Sequence, residues 1–105
     1  MRAGDVVRVD FGNPARGEPG LVRPAVVVTS DEVLEFRQAA VVVVPCTSTQ
    51  RGWLTEIRLE EFGVVQAHLP TSIRVDRILE GVEGNVGPTV LRQIRELIGE
   101  ILEIL

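Results

Sequence analysis

The sequence has one cysteine, one histidine and one tryptophan, and all eleven of its basic residues are arginine. The single cysteine, Cys46, excludes an internal disulfide and is typical of a reducing compartment. One histidine and one cysteine among scattered acids give no ligand spacing for a metal, so no metal or other cofactor is expected. Mutational bias toward GC-rich codons explains the lack of lysine at least as well as function does.

Long apolar runs are also missing. No stretch reaches the roughly 18 apolar residues of a membrane span, and no basic start leads into an apolar segment with a cleavage site. We therefore expect a cytoplasmic protein without membrane contact. The length of 105 residues predicts a single domain, residues 1–105. The glycine-rich segment matches neither the dinucleotide nor the P-loop pattern, so no nucleotide cofactor is implied.

The net charge of −4 counts against indiscriminate nucleic-acid binding, although a short basic groove is compatible with it. The acids concentrate in the middle of the chain and in its last quarter, which predicts that Arg8, Arg16 and Arg23 lie away from them. An even dispersal of charge for solubility is the alternative. The clustered acids are Glu56, Glu60, Glu61, Glu83, Glu96, Glu100 and Glu103.

Apolar residues make up 45% of the chain and valine dominates them, which favours strands. Residues 12–20 hold too many glycines and prolines for a regular element and predict a long loop. Ser30 is placed to cap a short turn that follows it. The predicted strands are Asp5–Phe11, Ala25–Thr29, Ala39–Cys46, Trp53–Leu59, Gly63–Leu69, Ser72–Val75 and, as an edge strand weakened by its glycines, Gly81–Val86.

From Pro88 onward the apolar residues recur at three- and four-residue spacing, which predicts an amphipathic helix with its charged residues outward. Many short strands followed by one helix are typical of a mainly β protein. The predicted fold is a small, strongly bent antiparallel barrel closed by this C-terminal helix. The outward residues are Arg92, Arg95, Glu96, Glu100 and Glu103.

Two apolar segments carry polar groups that a buried strand does not need. Arg23 precedes the first segment, and Thr47 and Ser48 follow the second. If the two segments pair in one sheet, a guanidinium and two hydroxyls meet at a common rim, as a set of donors suited to phosphate. Two plainer readings stay open: Arg23 could be paired with Asp5 or Glu18, and a threonine after a strand often forms a turn.

Three blocks of the sequence together resemble the MazF/PemK family of ribonuclease toxins. They are Gly4–Phe11, Gly17–Pro24 and Val43–Ser48, and they occur in the order and spacing of that family. The likeness fades after about Ser72. It implies an SH3-like barrel, usually a homodimer, and a type II toxin inhibited by a cognate antitoxin that covers the RNA groove.

The resemblance also implies the chemistry. Such toxins are metal-independent, sequence-specific endoribonucleases, and they cleave single-stranded RNA by transesterification to a 2′,3′-cyclic phosphate and a 5′-hydroxyl. Proteins similar to CcdB share the barrel but bind DNA gyrase without nuclease activity, and they are the alternative. The Arg23 and Thr47 blocks favour the ribonuclease, because a gyrase-binding protein needs no phosphate donors there.

The resemblance assigns roles to particular residues. Arg23 and Thr47 would act on the scissile phosphate, while Ser48 and Thr49 would order the substrate backbone. Glu18 would order the arginine or accept the 2′-hydroxyl proton, unless it is only a solvated loop acid. Cys46, among valines, is expected to be a small core residue and not a nucleophile.

His68 is where the chain departs from the family pattern. Many relatives have aspartate at this step, some with arginine two residues earlier, where this chain has Gln66. An imidazole beside the site suits proton transfer near neutral pH, and we count His68 as a catalytic candidate and Gln66 as a substrate contact. Packing of His68 at the strand rim or in a dimer interface is equally open.

Overall fold

A computed structural model describes residues 1–12, 21–37 and 39–104. Within these ranges the chain forms seven strands and two α-helices, with a short 3₁₀ turn at Val75–Arg77. The elements are β1 (Asp5–Asp10), β2 (Val22–Val27), α1 (Asp31–Glu35), β3 (Ala40–Thr47), β4 (Glu56–Leu59), β5 (Gly63–Gln66), β6 (Thr71–Arg74), β7 (Ile78–Asn85) and α2 (Gly87–Ile101).

The strands form a bent antiparallel sheet in the order β4-β5-β3-β2-β1-β7. One edge of β3 is shared, because its first half pairs with β6 and its last two residues pair with β5. In the described part of the chain no ladder joins β4 to β7, so hydrogen bonds do not close the sheet. The predicted mainly β fold with a C-terminal helix is confirmed.

Alternation along the valine-rich strands sends their side chains to two opposite faces of the sheet. On one face, Val9, Val27 and Val43 belong to a cluster that Leu34 of α1 also contacts. On the other face, α2 packs Val90, Ile94 and Ile98 against a cluster formed by Val6, Val26, Val44, Cys46 and Val65. The two faces explain why the central strands read as nearly continuous apolar runs.

Several predicted element ends move in the structure. The last strand begins at Ile78 and not at Gly81, because β1 accepts it as an edge strand despite its glycines. β4 begins at Glu56 instead of Trp53, and β5 ends at Gln66. The predicted cap is confirmed, since Ser30 Oγ accepts a hydrogen bond from the Val33 amide at 3.3 Å.

Arg8 does not lie apart from the acids, as its position in the sequence suggested. The strand pairing of β1 with β7 brings it to Glu83, 75 residues away, with 2.8 Å between Nε and Oε1. Its side chain therefore forms an ion pair with Glu83 on the surface of the sheet. No helix in the described ranges is long and apolar enough to span a membrane.

Candidate functional site

The pairing of β2 with β3 brings together the polar residues that flank the two apolar segments. β2 and β3 pair Ala25 with Pro45 and Val26 with Val44, so Arg23 on β2 and Thr47 on β3 both lie just beyond the Ala25–Pro45 end of this ladder. Residues opposite each other in an antiparallel pair point to the same face. Both line a cleft of about 380 Å³ whose other walls are Leu21, Val22, Pro24, Cys46, Ser48, Phe62 and Gly63.

Arg23 is half-buried near the start of β2 and lies opposite Val9 of β1. The alternative partner Asp5 is at the other end of β1, where its carboxylate accepts hydrogen bonds from the Arg2 amide and from Asn85 Nδ2. Asp5 is thus engaged away from the cleft. Glu18, the second alternative and a predicted site residue, lies outside the described residues.

Thr47 is almost fully buried, with 7% of its surface exposed. Its Oγ1 accepts a hydrogen bond from the Thr49 amide at 3.2 Å, which fixes the turn after β3. A hydroxyl that accepts one bond can still donate its own proton to a ligand. Ser48 also lines the cleft and is exposed. Thr49 supports the turn through its backbone amide, which donates to Thr47.

Gly63, which sequence reasoning did not single out, determines how closely β5 approaches this turn. Its φ is +89°, and a Cβ built on it would lie 2.5 Å from the Thr47 carbonyl oxygen. No side chain fits there without displacing backbone. A glycine directly before a short apolar strand was the available sequence signal, but the contact depends on the pairing of β5 with β3.

Arg58 is a second basic residue on the same face as Thr47. Thr47 pairs with Val64 of β5, and Val64 pairs with Arg58 of β4. The three residues form one row across the sheet, and Arg23 lines the cleft at the Thr47 end of that row. Arg58 is exposed and donates from Nη1 to Gln50 Oε1 at 3.4 Å. Alternation in β4 is a sequence signal for the face on which Arg58 lies, but only the register shows that Thr47 lies on the same face.

The structure does not bring His68 and Gln66 into the cleft. His68 Nδ1 is hydrogen-bonded to Thr55 Oγ1 at 3.0 Å, and its ring meets Trp53 edge-on with 5.2 Å between centroids. Gln66 is 8% exposed and pairs with Glu56 of β4. Both lie at the end of β5 remote from Gly63.

Cys46 is a buried residue in the cluster under α2, as expected. Burial raises the pKa of its thiol to about 12, so the reactive thiolate is almost absent at neutral pH. In the part of the chain that the structure describes, no three His, Cys, Asp or Glu side chains gather into a metal-binding group.

The family described as PemK-like, MazF-like toxin of type II toxin-antitoxin system matches residues 2–102. No curated protein matches the chain significantly. Among solved structures, MazF from Deinococcus radiodurans is similar with a TM-score of 0.86 and 26% identity, over 98% of this chain and 96% of the other.

Two complexes are also similar. The MazE–MazF complex from Deinococcus radiodurans (Form-II) matches with a TM-score of 0.82 and 26% identity, over 100% of this chain and 97% of the other. A mycobacterial endoribonuclease in complex with its cognate antitoxin has the same fold, with a TM-score of 0.80 and 22% identity over 100% and 97%. The chain belongs to the PemK-like, MazF-like toxin family of type II toxin–antitoxin systems.

Proposed function

We propose that this toxin is a metal-independent, sequence-specific endoribonuclease that cleaves single-stranded RNA by transesterification. The observation that carries the proposal is that Arg23 and Thr47 line one cleft. Family membership and the likeness to MazF from Deinococcus radiodurans support the reaction class. The cytoplasm, where RNA is translated, is the proposed location.

In the proposed reaction the 2′-hydroxyl of one nucleotide attacks the adjacent phosphorus, and the bond to the 5′-oxygen of the next nucleotide breaks. Negative charge grows on the non-bridging oxygens, and the departing 5′-oxygen takes a proton from solvent to become the 5′-hydroxyl. Arg23 stabilises that charge with its planar fork of donors, and Thr47 donates its hydroxyl to the same phosphate. The proposed roles of Ser48 and Thr49 are to align the neighbouring backbone.

The proton from the 2′-hydroxyl needs an acceptor. Glu18 remains our candidate for this role or for ordering Arg23. His68 belongs to the neighbourhood of Trp53 and Thr55, so a direct part in proton transfer at the Arg23–Thr47 cleft would need the substrate to bridge the two places. Gln66 is buried and would reach substrate only through such a rearrangement.

The first prediction concerns metal chelation. A defined single-stranded RNA incubated with the protein in EDTA should be cut at the full rate and leave a 2′,3′-cyclic phosphate and a 5′-hydroxyl, because Arg23 and Thr47 supply the charge stabilisation. End analysis by sequencing checks this result. Loss of cutting in EDTA with recovery in magnesium would contradict the mechanism.

Cognate antitoxin is the proposed protein partner, and we propose that it binds over the RNA groove. Two of the structural relatives are complexes, one of MazF with MazE and one of an endoribonuclease with its cognate antitoxin. The alternative of a gyrase-binding toxin draws on the exposed apolar end of α2, where Ile101, Leu102 and Ile104 face solvent. Gyrase inhibition by a protein that cuts no RNA would favour that alternative.

We also propose a homodimer formed through the surface around α1. Phe36 is 75% exposed and follows directly after α1, and Val33 of the same helix is exposed as well. Next to them Met1, Leu34, Arg37, Val41 and Val75 line an apolar depression of about 410 Å³. An exposed apolar surface of this kind is typical of an interaction site.

Phe36→Glu should therefore convert the dimer to a monomer, because a carboxylate would be buried without a partner in the interface. Light scattering after size-exclusion chromatography measures the mass. Val82→Glu on β7 is the matched control, since Val82 is 50% exposed on a different part of the surface. A Phe36→Glu variant that keeps the wild-type mass would remove α1 from the interface.

A further inference from the structure

An exposed aromatic side chain lies outside the cleft, in the loop between β3 and β4. Trp53 is 51% exposed, and the guanidinium carbon of Arg51 lies 5.3 Å from its ring centroid. His68 packs against it edge-on, held in place by its hydrogen bond to Thr55. We name Arg51, Trp53 and His68 the Trp53 platform.

The loop that carries Arg51 and Trp53 is ordered by one carboxylate. Glu56 accepts hydrogen bonds from the Trp53 amide at 2.8 Å and from the Arg51 amide at 3.1 and 3.2 Å. Desolvation raises the pKa of this carboxyl, but backbone donation from Trp53, Arg51 and Gly52 and the charge of Arg51 hold it below its ordinary value. The carboxylate is thus ionised at neutral pH, and the ring is presented in a fixed position at little further entropic cost.

The platform and the cleft are connected along one face of the sheet. The loop begins at the cleft wall, where β3 ends at Thr47 and Ser48 follows. Its Gln50 accepts a hydrogen bond from Arg58, which lies in the row with Thr47. Glu56 is two residues from Arg58 on β4, so it points to the same face. From Gly63 to Gln66 the β4–β5 hairpin spans about 10 Å at the usual rise per residue, a distance that a few nucleotides can cover.

We propose that the Trp53 platform binds an unpaired nucleobase of the RNA whose scissile phosphate lies at Arg23 and Thr47. The inference rests on the proposed ribonuclease function and adds a subsite to it. Every nucleobase has a π-face that stacks on an indole, and arginine contributes a cation–π contact and a charge for the flanking phosphate. Arg58 lies between the two places and supplies a positive charge along the path.

The chemistry of the platform favours a base over an apolar protein side chain. A guanidinium covers part of the ring, and the side chains of Thr55 and Glu56 bond to His68 and to the Trp53 amide. Stacked aromatic and guanidinium groups beside a basic residue such as Arg58 are typical of proteins that recognise single-stranded nucleic acid. His68 acts in this arrangement as a positioning residue that fixes the tryptophan ring.

The composition of the chain makes the test direct, because Trp53 is the only tryptophan and there is no tyrosine. Intrinsic fluorescence therefore reports on the platform alone. The probes are four mixed-sequence 12-mers of 2′-O-methyl RNA, which keep bases and phosphates but lack the attacking hydroxyl. At low ionic strength we expect binding to quench the fluorescence of Trp53.

Variants measure the contribution of the ring. With end-labelled 12-mers, Trp53→Ala should weaken binding about ten- to a hundredfold, the range measured for single stacked bases. Trp53→Phe should recover most of the affinity, and Leu54→Ala should leave it unchanged. Leu54 is the matched control, because it is the next residue of the same loop and is 94% exposed.

Abasic substitutions identify the base. One abasic position should weaken wild-type binding, remove the quench and add nothing to the loss already caused by Trp53→Ala. Cutting of RNA by a protein whose fluorescence no 12-mer quenches would overturn the platform and leave the ribonuclease standing. Quenching without cutting would overturn the ribonuclease and leave the platform. If Trp53→Ala weakens antitoxin binding but not binding of the 12-mers, the platform is a protein site and the proposal is wrong.

Discussion

Arg23→Ala should lower the single-turnover cleavage rate roughly a hundred- to thousandfold. Removing one donor that acts on the developing charge of a transition state costs on the order of 3–4 kcal/mol. Arg23→Lys should remain far below wild type, since a point charge cannot contact two phosphate oxygens in the plane of a guanidinium. The measurement is the rate of cutting at saturating protein, with circular dichroism to establish that each variant is folded.

A control separates chemistry from charge. Arg92→Ala removes the same unit of charge from an exposed position on α2 and should cut at the wild-type rate. If a folded Arg23→Ala variant retains more than about a third of the wild-type rate, the arginine is structural. If Arg92→Ala lowers the cleavage rate as much as Arg23→Ala does, the effect comes from general attraction of RNA by positive charge and not from the cleft.

Gly63→Ala should destabilise the fold by about 2–4 kcal/mol. The left-handed φ alone costs an L-residue roughly 1–2 kcal/mol, and the new methyl group would meet the Thr47 carbonyl oxygen at 2.5 Å. For a domain of this size such a loss lowers Tm by about 10 °C or more. Activity should fall further than the unfolded fraction explains, because β5 can relieve the collision only by shifting the turn at Thr47.

Gly87→Ala is the matched control for this variant. Gly87 has a φ of +82°, but a Cβ there meets nothing within 4 Å. It should therefore lose only the conformational part, which thermal or denaturant unfolding can resolve. If the two variants lose the same free energy of unfolding, the close approach of β5 to Thr47 does not contribute to stability.

Much of the fold follows from local pattern. Uninterrupted valines predicted the central strands, and the three- and four-residue spacing after Pro88 predicted α2, because both elements bury their side chains with a simple period. The sequence predicted that Arg23 and Thr47 lie close together only if the two apolar segments pair in one sheet. The resemblance to a known family supported that pairing. The ends of β4 and β7 were harder, because an edge strand tolerates glycine and a structured loop can imitate a strand.

The features that sequence reasoning missed all depend on contacts across the sheet. Arg58 joins the row of Thr47 only through the register of two ladders, and Gly63 matters only because β5 lies against the turn after β3. His68 was placed beside the cleft on the basis of family position. Its neighbours Trp53 and Thr55 belong to a loop whose shape is determined by the carboxylate of Glu56, which no periodicity reveals.

The pairing of β1 with β7 has a consequence for synthesis. β1 leaves the ribosome early, yet one of its edges stays without a ladder until residues 78–85 have been made. Closing so long a stretch of chain is entropically costly and slow compared with forming hairpins such as β4–β5. A nascent chain that stops before Ile78 would present β1 as an open strand edge, prone to pair with other chains. Synthesis through β7 is thus needed to complete the sheet, and we expect a chain interrupted before Ile78 to aggregate or to be degraded.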